Sequence, residues 1–205
     1  GDSSAAIAAR QGGSDADFTG MSFFTHPSGT GSDDAVEKVR IHHSGQASFN
    51  DGICLGNGLT LSTDNTLDDY EEGAWTPDLQ FGGSNTGIGY NSRYGHYTKI
   101  GQQVTVIARI NLSSKGSASG TAKIEGLPFP TRSISGTQMS IGSIWFSSGG
   151  TSIQGSHYYM VCRTDGNTVT YVEPKNVGYS NEDSVTNADF GNGTDMTITI
   201  TYLTS

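Results

Sequence analysis

Two stretches of strict alternation constrain this chain more than any other feature. In QVTVIARINL at 103–112, Val104, Val106, Ala108, Ile110 and Leu112 share one parity, while Gln103, Thr105, Arg109 and Asn111 share the other. Ile107 alone breaks the pattern. DMTITITYL at 195–203 repeats it, setting Met196, Ile198, Ile200 and Tyr202 against Thr197, Thr199 and Thr201. Side chains of an extended backbone point to opposite faces in turn, so one apolar parity predicts half-buried antiparallel strands. HYYMVCR at 157–163 and TVTYVE at 168–173 flank Asp165-Gly166-Asn167 and read as a hairpin, with Gly166 supplying a positive φ. No segment carries a sustained helical period. Leu127-Pro128-Phe129-Pro130 ends a strand, because proline cannot continue an interior ladder. The expected fold is all-β, with roughly eight to ten strands after residue 75 arranged as a jelly-roll-like antiparallel β-sandwich.

The first third of the chain has a different texture. Short apolar islands, AAIA at 5–8, FTGMSFF at 18–24, VEKVRI at 36–41 and ICL at 53–55, are separated by Gly, Ser and Asp clusters. Each is too short to build a core from its own chain. Residues 1–64 are therefore expected to form a β-rich shaft or neck in which three copies intertwine as a homotrimer, each burying a face against its neighbours. NTLDDYEEGAWTP at 65–77 reads as an acidic junction turn, Thr66 capping a single turn that carries Asp68, Asp69, Glu71 and Glu72 and that Gly73 ends. Tyr70 and Trp75 bracket it and could staple shaft to head. Residues 78–205 form the head. An opening at Gly1 without methionine, inside a patterned stretch, suggests a piece of a longer polypeptide.

Composition narrows the chemistry. Twenty-nine glycines, 33% hydrophobic and 15% charged residues describe a Ser/Thr-rich β protein, and a net charge of −9 disfavours nucleic acid as a partner. No run of about 18 apolar residues is present, so no membrane insertion is expected. Cys54 and Cys162 are expected as buried thiols in preference to a disulfide, which suits assembly in a reducing cytoplasm. The acidic pairs Asp33-Asp34, Asp68-Asp69 with Glu71-Glu72, and Glu182-Asp183 sit in polar runs and read as solvated turns rather than as a glycosidase pair. No serine-nucleophile elbow occurs. His42 and His43, adjacent on a strand-like segment, could direct one imidazole to a trimer axis, yet three nitrogens make an incomplete metal set. Gly191-Asn192-Gly193 with Asp195 matches no calcium loop and reads as a turn. Neither a catalytic constellation, nor a metal, nor a cofactor is expected.

EKVRIHHSGQASFNDGI at 37–53 resembles the strand-and-turn unit that repeats in fibre shafts. LDDYEEGAWTPDLQFGGSNTGIGY at 67–90, followed by RYGHYTKIGQQVTVIARINLSSKGSASGTAKIEGLPFP at 93–130, resembles the distal region of tail fibre and receptor-binding proteins of tailed bacteriophages. The resemblance implies a homotrimer located in the virion, at the tip of a tail fibre. It also implies a non-enzymatic role in adsorption, with other tail proteins engaged through a missing N-terminal part. The expected receptor is a host cell-surface glycan or outer-membrane protein. A purely structural fibre component and a polysaccharide-cleaving tailspike are the alternatives. Aromatic rings stack on sugar faces and amides read hydroxyls, so Trp145, Tyr158, Tyr159, Asn176, Tyr179 and Asn181 are the receptor-binding candidates. PKNVGYSNEDSVTNADFGNGTD at 174–195 is expected to be a long loop forming a variable contact surface.

Overall fold

The computed structural model describes residues 5–14, 17–26, 34–56, 65–132, 139–147, 157–163, 171–177 and 182–205. It is all-β, with no α-helix among the described residues. The chain divides into two compact units, Gly1–Asp69 and Tyr70–Ser205.

In the first unit, β1 (Ala6–Gln11), β2 (Thr19–Thr25), β3 (Val36–Ile41) and β4 (Ala47–Phe49) form an antiparallel meander in sequence order. A two-stranded ribbon of β5 (Ile53–Cys54) and β6 (Thr66–Leu67) stands apart from it. Register sorts the meander into two unlike faces. Ile7, Phe23, Val39 and Phe49 make one cross-strand row, and Ala9, Met21, Ile41 and Ala47 make the next, so two adjacent rows of one face are wholly apolar. Among the described residues nothing covers them: Ile7 is 69% exposed, and Met21, Ile41 and Phe49 are exposed as well.

The opposite face is closed by charge. Glu37 accepts from Arg10 Nη1 at 2.7 Å, from Ser22 Oγ at 2.6 Å and from the Arg40 guanidinium through two bonds. The Arg40 bonds, then Ser22, hold the Glu37 carboxyl down at about 2. A carboxyl depressed by folding contributes stability above its unfolded value and loses it as pH falls through the folded one. Thermal unfolding of the first unit should therefore move to lower temperature as pH is taken from 4.5 to about 2, with a shallower dependence in Glu37→Gln. An identical acid dependence in both chains would exclude this network.

The acidic junction departs from expectation. Tyr70–Trp75 is a strand, β7, paired with β9 (Ile88–Ile100), and no helical turn forms there. The strand wins because Glu71 finds partners across the sheet, accepting from the Tyr97 hydroxyl and standing opposite Lys99, while Tyr70 donates to Glu72 at 2.9 Å along β7 itself. At Gly73 any Cβ would meet the Tyr97 ring at 2.8–2.9 Å, so a larger residue would displace that ring.

The remaining strands are β8 (Asp78–Phe81), β10 (Gln103–Lys115), β11 (Ala122–Glu125), β12 (Met139–Ser147), β13 (His157–Arg163), β14 (Tyr171–Val177), β15 (Glu182–Ser184) and β16 (Asp195–Leu203). They join β7 and β9 in one sheet of order β7-β9-β10-β16-β12-β13-β14-β11-β8, with β15 on β14. Trp75 ends one edge strand and Asp78 begins the other, with only Thr76 and Pro77 between them. Three residue steps reach about 10 Å, whereas nine flat strands would hold their edges roughly 40 Å apart. The sheet must therefore bend over on itself. A jelly roll has two separate sheets; here one continuous sheet supplies both layers of a sandwich-like fold.

Between the layers lies the core that the alternation predicts. Val104, Val106, Ala108, Ile110 and Leu112 of β10 and Met196, Ile198, Ile200 and Tyr202 of β16 pack with Leu79, Phe81, Ala122 and Ile124. Trp75 belongs to this core instead of stapling two parts of the chain; its Nε1 donates to the Ile107 carbonyl at 3.3 Å. Its indole lies over Gly95, where a Cβ would approach it to 2.3 Å. Among the described residues every buried hydrophobic side chain falls between Trp75 and Tyr202, so the second unit holds the whole core.

Of the 174–195 segment expected as a long loop, the described residues 174–177 and 182–195 take up strands and a 3-10 turn. Its first residues complete β14, β15 pairs back onto them, and a 3-10 turn at Asn187–Asp189 is fixed by a capping box in which Thr186 and Asp189 bond each other's backbone. That turn delivers Phe190, fully buried, against Phe81 and Phe146. On its second edge β14 meets β11 at Tyr171 and Val172 and β15 at Lys175–Val177. Pro174, with no N–H to offer, falls in the gap between these two pairings.

Candidate functional site

The outer face of the second unit's sheet is where the described sequence candidates can be judged. Trp145 lies on β12 with Ile144 and Phe146 packed inward on either side, which leaves its indole outward and 59% exposed. The hairpin of β13 and β14 forms as expected, with Arg163 opposite Tyr171 and His157 opposite Val177. Tyr158 stands opposite Asn176, and Tyr159 lies between Ser143 of β12 and Lys175 of β14. Asn176 is thus a strand residue rather than a loop residue. Tyr179 and Asn181 lie outside the described residues, as do Asp165-Gly166-Asn167.

Register aligns Trp145 with three residues that the sequence reading did not select. Trp145 pairs with Thr197, Thr197 with Arg109, and Arg109 with Tyr94, one residue from each of β12, β16, β10 and β9. The next row runs Ser143, Thr199, Ile107, His96 and Ala74. Tyr94 is 49% and Ile107 48% exposed, and the Tyr94 and His96 rings meet edge to face at 6.5 Å. Arg109 is fixed by a bidentate pair with Asp195, Nε to Oδ1 at 3.1 Å and Nη2 to Oδ2 at 2.7 Å, which holds the Asp195 carboxyl below the usual carboxylate range. A shallow concavity lined by Glu72, Gly73, Ala74, His96, Tyr97 and Thr98 adjoins this face. The signal for the face was in the sequence: Ile107, the apolar residue of the wrong parity in β10, marks an outer surface that is not simply solvated.

The metal-ligand candidates fall elsewhere. β3 ends at Ile41, so His42 and His43 open the turn to β4 and do not alternate on a strand. His42 Nε2 lies 2.9 Å from Ser48 Oγ, and the His43 ring stacks on Phe18 at 4.5 Å. In the Gly191–Asp195 turn, Gly193 takes φ +82°, Asn192 Oδ1 accepts from the Lys115 amide at 3.0 Å, and Asp195 belongs to Arg109. Among the described residues no three His, Cys, Asp or Glu side chains group as a metal site. Cys54 is half-buried and outside any disulfide, and Cys162 is placed by register opposite Val172. Compared with known proteins, the chain matches no protein-family model and no curated protein.

Proposed function

We propose that this chain is the distal, host-adhesion part of a bacteriophage tail fibre, working as a homotrimer that recognises a glycan or protein on a bacterial surface. The observation that carries the reading is the contrast between the two units. The second closes its own core, whereas the first presents adjacent apolar rows on one sheet face that the described residues leave uncovered. A contiguous exposed apolar face of this kind marks an interaction surface. Copies of the same chain are the economical occupant, since the opposite face of the meander is closed by its own ion pairs. The number three comes from the resemblance of residues 37–53, 67–90 and 93–130 to phage fibres, as does the place in the virion. Three heads on one stem multiply a weak single-site affinity.

The test is direct. The full chain, fluorescently labelled, should run at three times its monomer mass in light scattering and should adsorb to some members of a panel of bacterial strains. A monomer that adsorbs to none of them contradicts the proposal. A stable trimer that adsorbs to none is a structural fibre component instead.

A further inference from the structure

We propose that the outer face of β9, β10, β16 and β12 is a platform for a neutral, linear glycan that lies across the strands, with Trp145 and Tyr94 as its two stacking ends. The proposal rests on the adhesion reading above and names the ligand class and residues within it. Trp145 and Tyr94 end one cross-strand row of four residues, so three strand spacings separate them, roughly 14 Å. That distance suits an oligosaccharide better than a single sugar ring. Both side chains are about half exposed or more, and both arise from strands whose other parity is anchored in the core. The platform is therefore held rigid before any ligand arrives, which limits the entropy lost on binding.

What lies between the aromatics argues for a sugar over a second protein surface. The apolar face of the first unit is contiguous from strand to strand; this one alternates, Thr197 and Arg109 in the first row, Thr199 and His96 flanking Ile107 in the second. Protein interfaces concentrate apolar side chains at a depleted, desolvated centre. Hydroxyls, a fixed guanidinium and separated rings match a ligand whose apolar ring faces alternate with hydroxyls. Arg109 has five N–H donors, gives two to Asp195 and also bonds Tyr94, which still leaves a donor for a ligand hydroxyl without the guanidinium moving. Asp195 also cancels its charge, and the chain carries net −9, so the platform offers little to an acidic polysaccharide.

Intrinsic fluorescence isolates the site, because Trp145 is exposed and the chain's other tryptophan, Trp75, is in the core. Titration of the full chain with cellohexaose, chitohexaose, mannohexaose and maltohexaose should quench and blue-shift the exposed component with at least one of the four. Calorimetry with that sugar should show about tenfold weaker binding in Tyr94→Ala and in Trp145→Ala. Circular dichroism should leave the melting temperature of both variants unchanged. The same variants should lose adsorption to strains that the parent chain binds. Flat titrations with all four sugars overturn the neutral-glycan assignment. Undiminished cell adsorption by both variants overturns the platform while leaving adhesion standing. A parent chain that adsorbs to no strain removes the adhesion reading and the platform with it.

Discussion

Phe190→Ala should lower the stability of the second unit by about 3–5 kcal/mol, the cost of emptying a fully packed aromatic site. The side chain is wholly buried and meets the Phe81 ring at 4.9 Å and the Phe146 ring at 5.2 Å, both edge to face. Phe81 belongs to one edge strand of the sheet and Phe146 to its middle. The ring thus ties the two layers together at the point where the chain returns toward its last strand. A cavity there should not collapse easily, because the backbone on either side is fixed: Asn187 Oδ1 accepts from the Gly120 amide at 2.9 Å, and Thr194 Oγ1 accepts from the Gly191 amide at 2.9 Å. Denaturant titration followed by the fluorescence of Trp75 in the same core reads the change. Phe190→Leu, which keeps much of the volume, should lose less than the alanine variant. A loss below about 1 kcal/mol for alanine would place the ring outside the core.

That residue also marks the boundary of what the sequence made legible. The elements read correctly, β10, β16 and the β13–β14 hairpin, carry their evidence locally: side-chain parity is a property of the strand itself, and it placed Val104 through Leu112 and Met196 through Tyr202 in the core. Phe190 sits alone in a polar run, and its burial depends on rings 109 and 44 positions away, Phe81 and Phe146, which no local period encodes. The acidic junction failed for the same reason in reverse. Two aspartates and two glutamates before a glycine suit a helical turn on local grounds, yet Glu71 and Glu72 find their partners in strands. Of the candidate site, Trp145 was legible as an aromatic able to stack on a sugar face. Tyr94, His96 and Arg109 were not, because what makes them a site is their register against Trp145 through two intervening strands.

In the first unit, Met21→Glu combined with Ile41→Glu should convert the proposed trimer into monomers. The two residues are directly opposite each other on β2 and β3, in the middle of the apolar face, and both are exposed within one chain. Placing carboxylates there therefore costs the isolated chain little beyond a pair of like charges across a ladder. In an assembly that buries the face, each carboxylate would be desolvated without a partner, a cost of several kcal/mol per group repeated in every copy. Since each 1.4 kcal/mol is a factor of ten, association should become undetectable at working concentrations. Light scattering should then report the monomer mass, while the cooperative unfolding of the second unit, followed through Trp75, stays where it is. Met21→Gln with Ile41→Gln, polar but uncharged, should weaken the assembly less. A parent chain that is already monomeric, or a double glutamate variant that keeps its full mass, would mean that this face is not where the copies meet, and the exposure of Ile7, Met21, Ile41 and Phe49 would need a different partner.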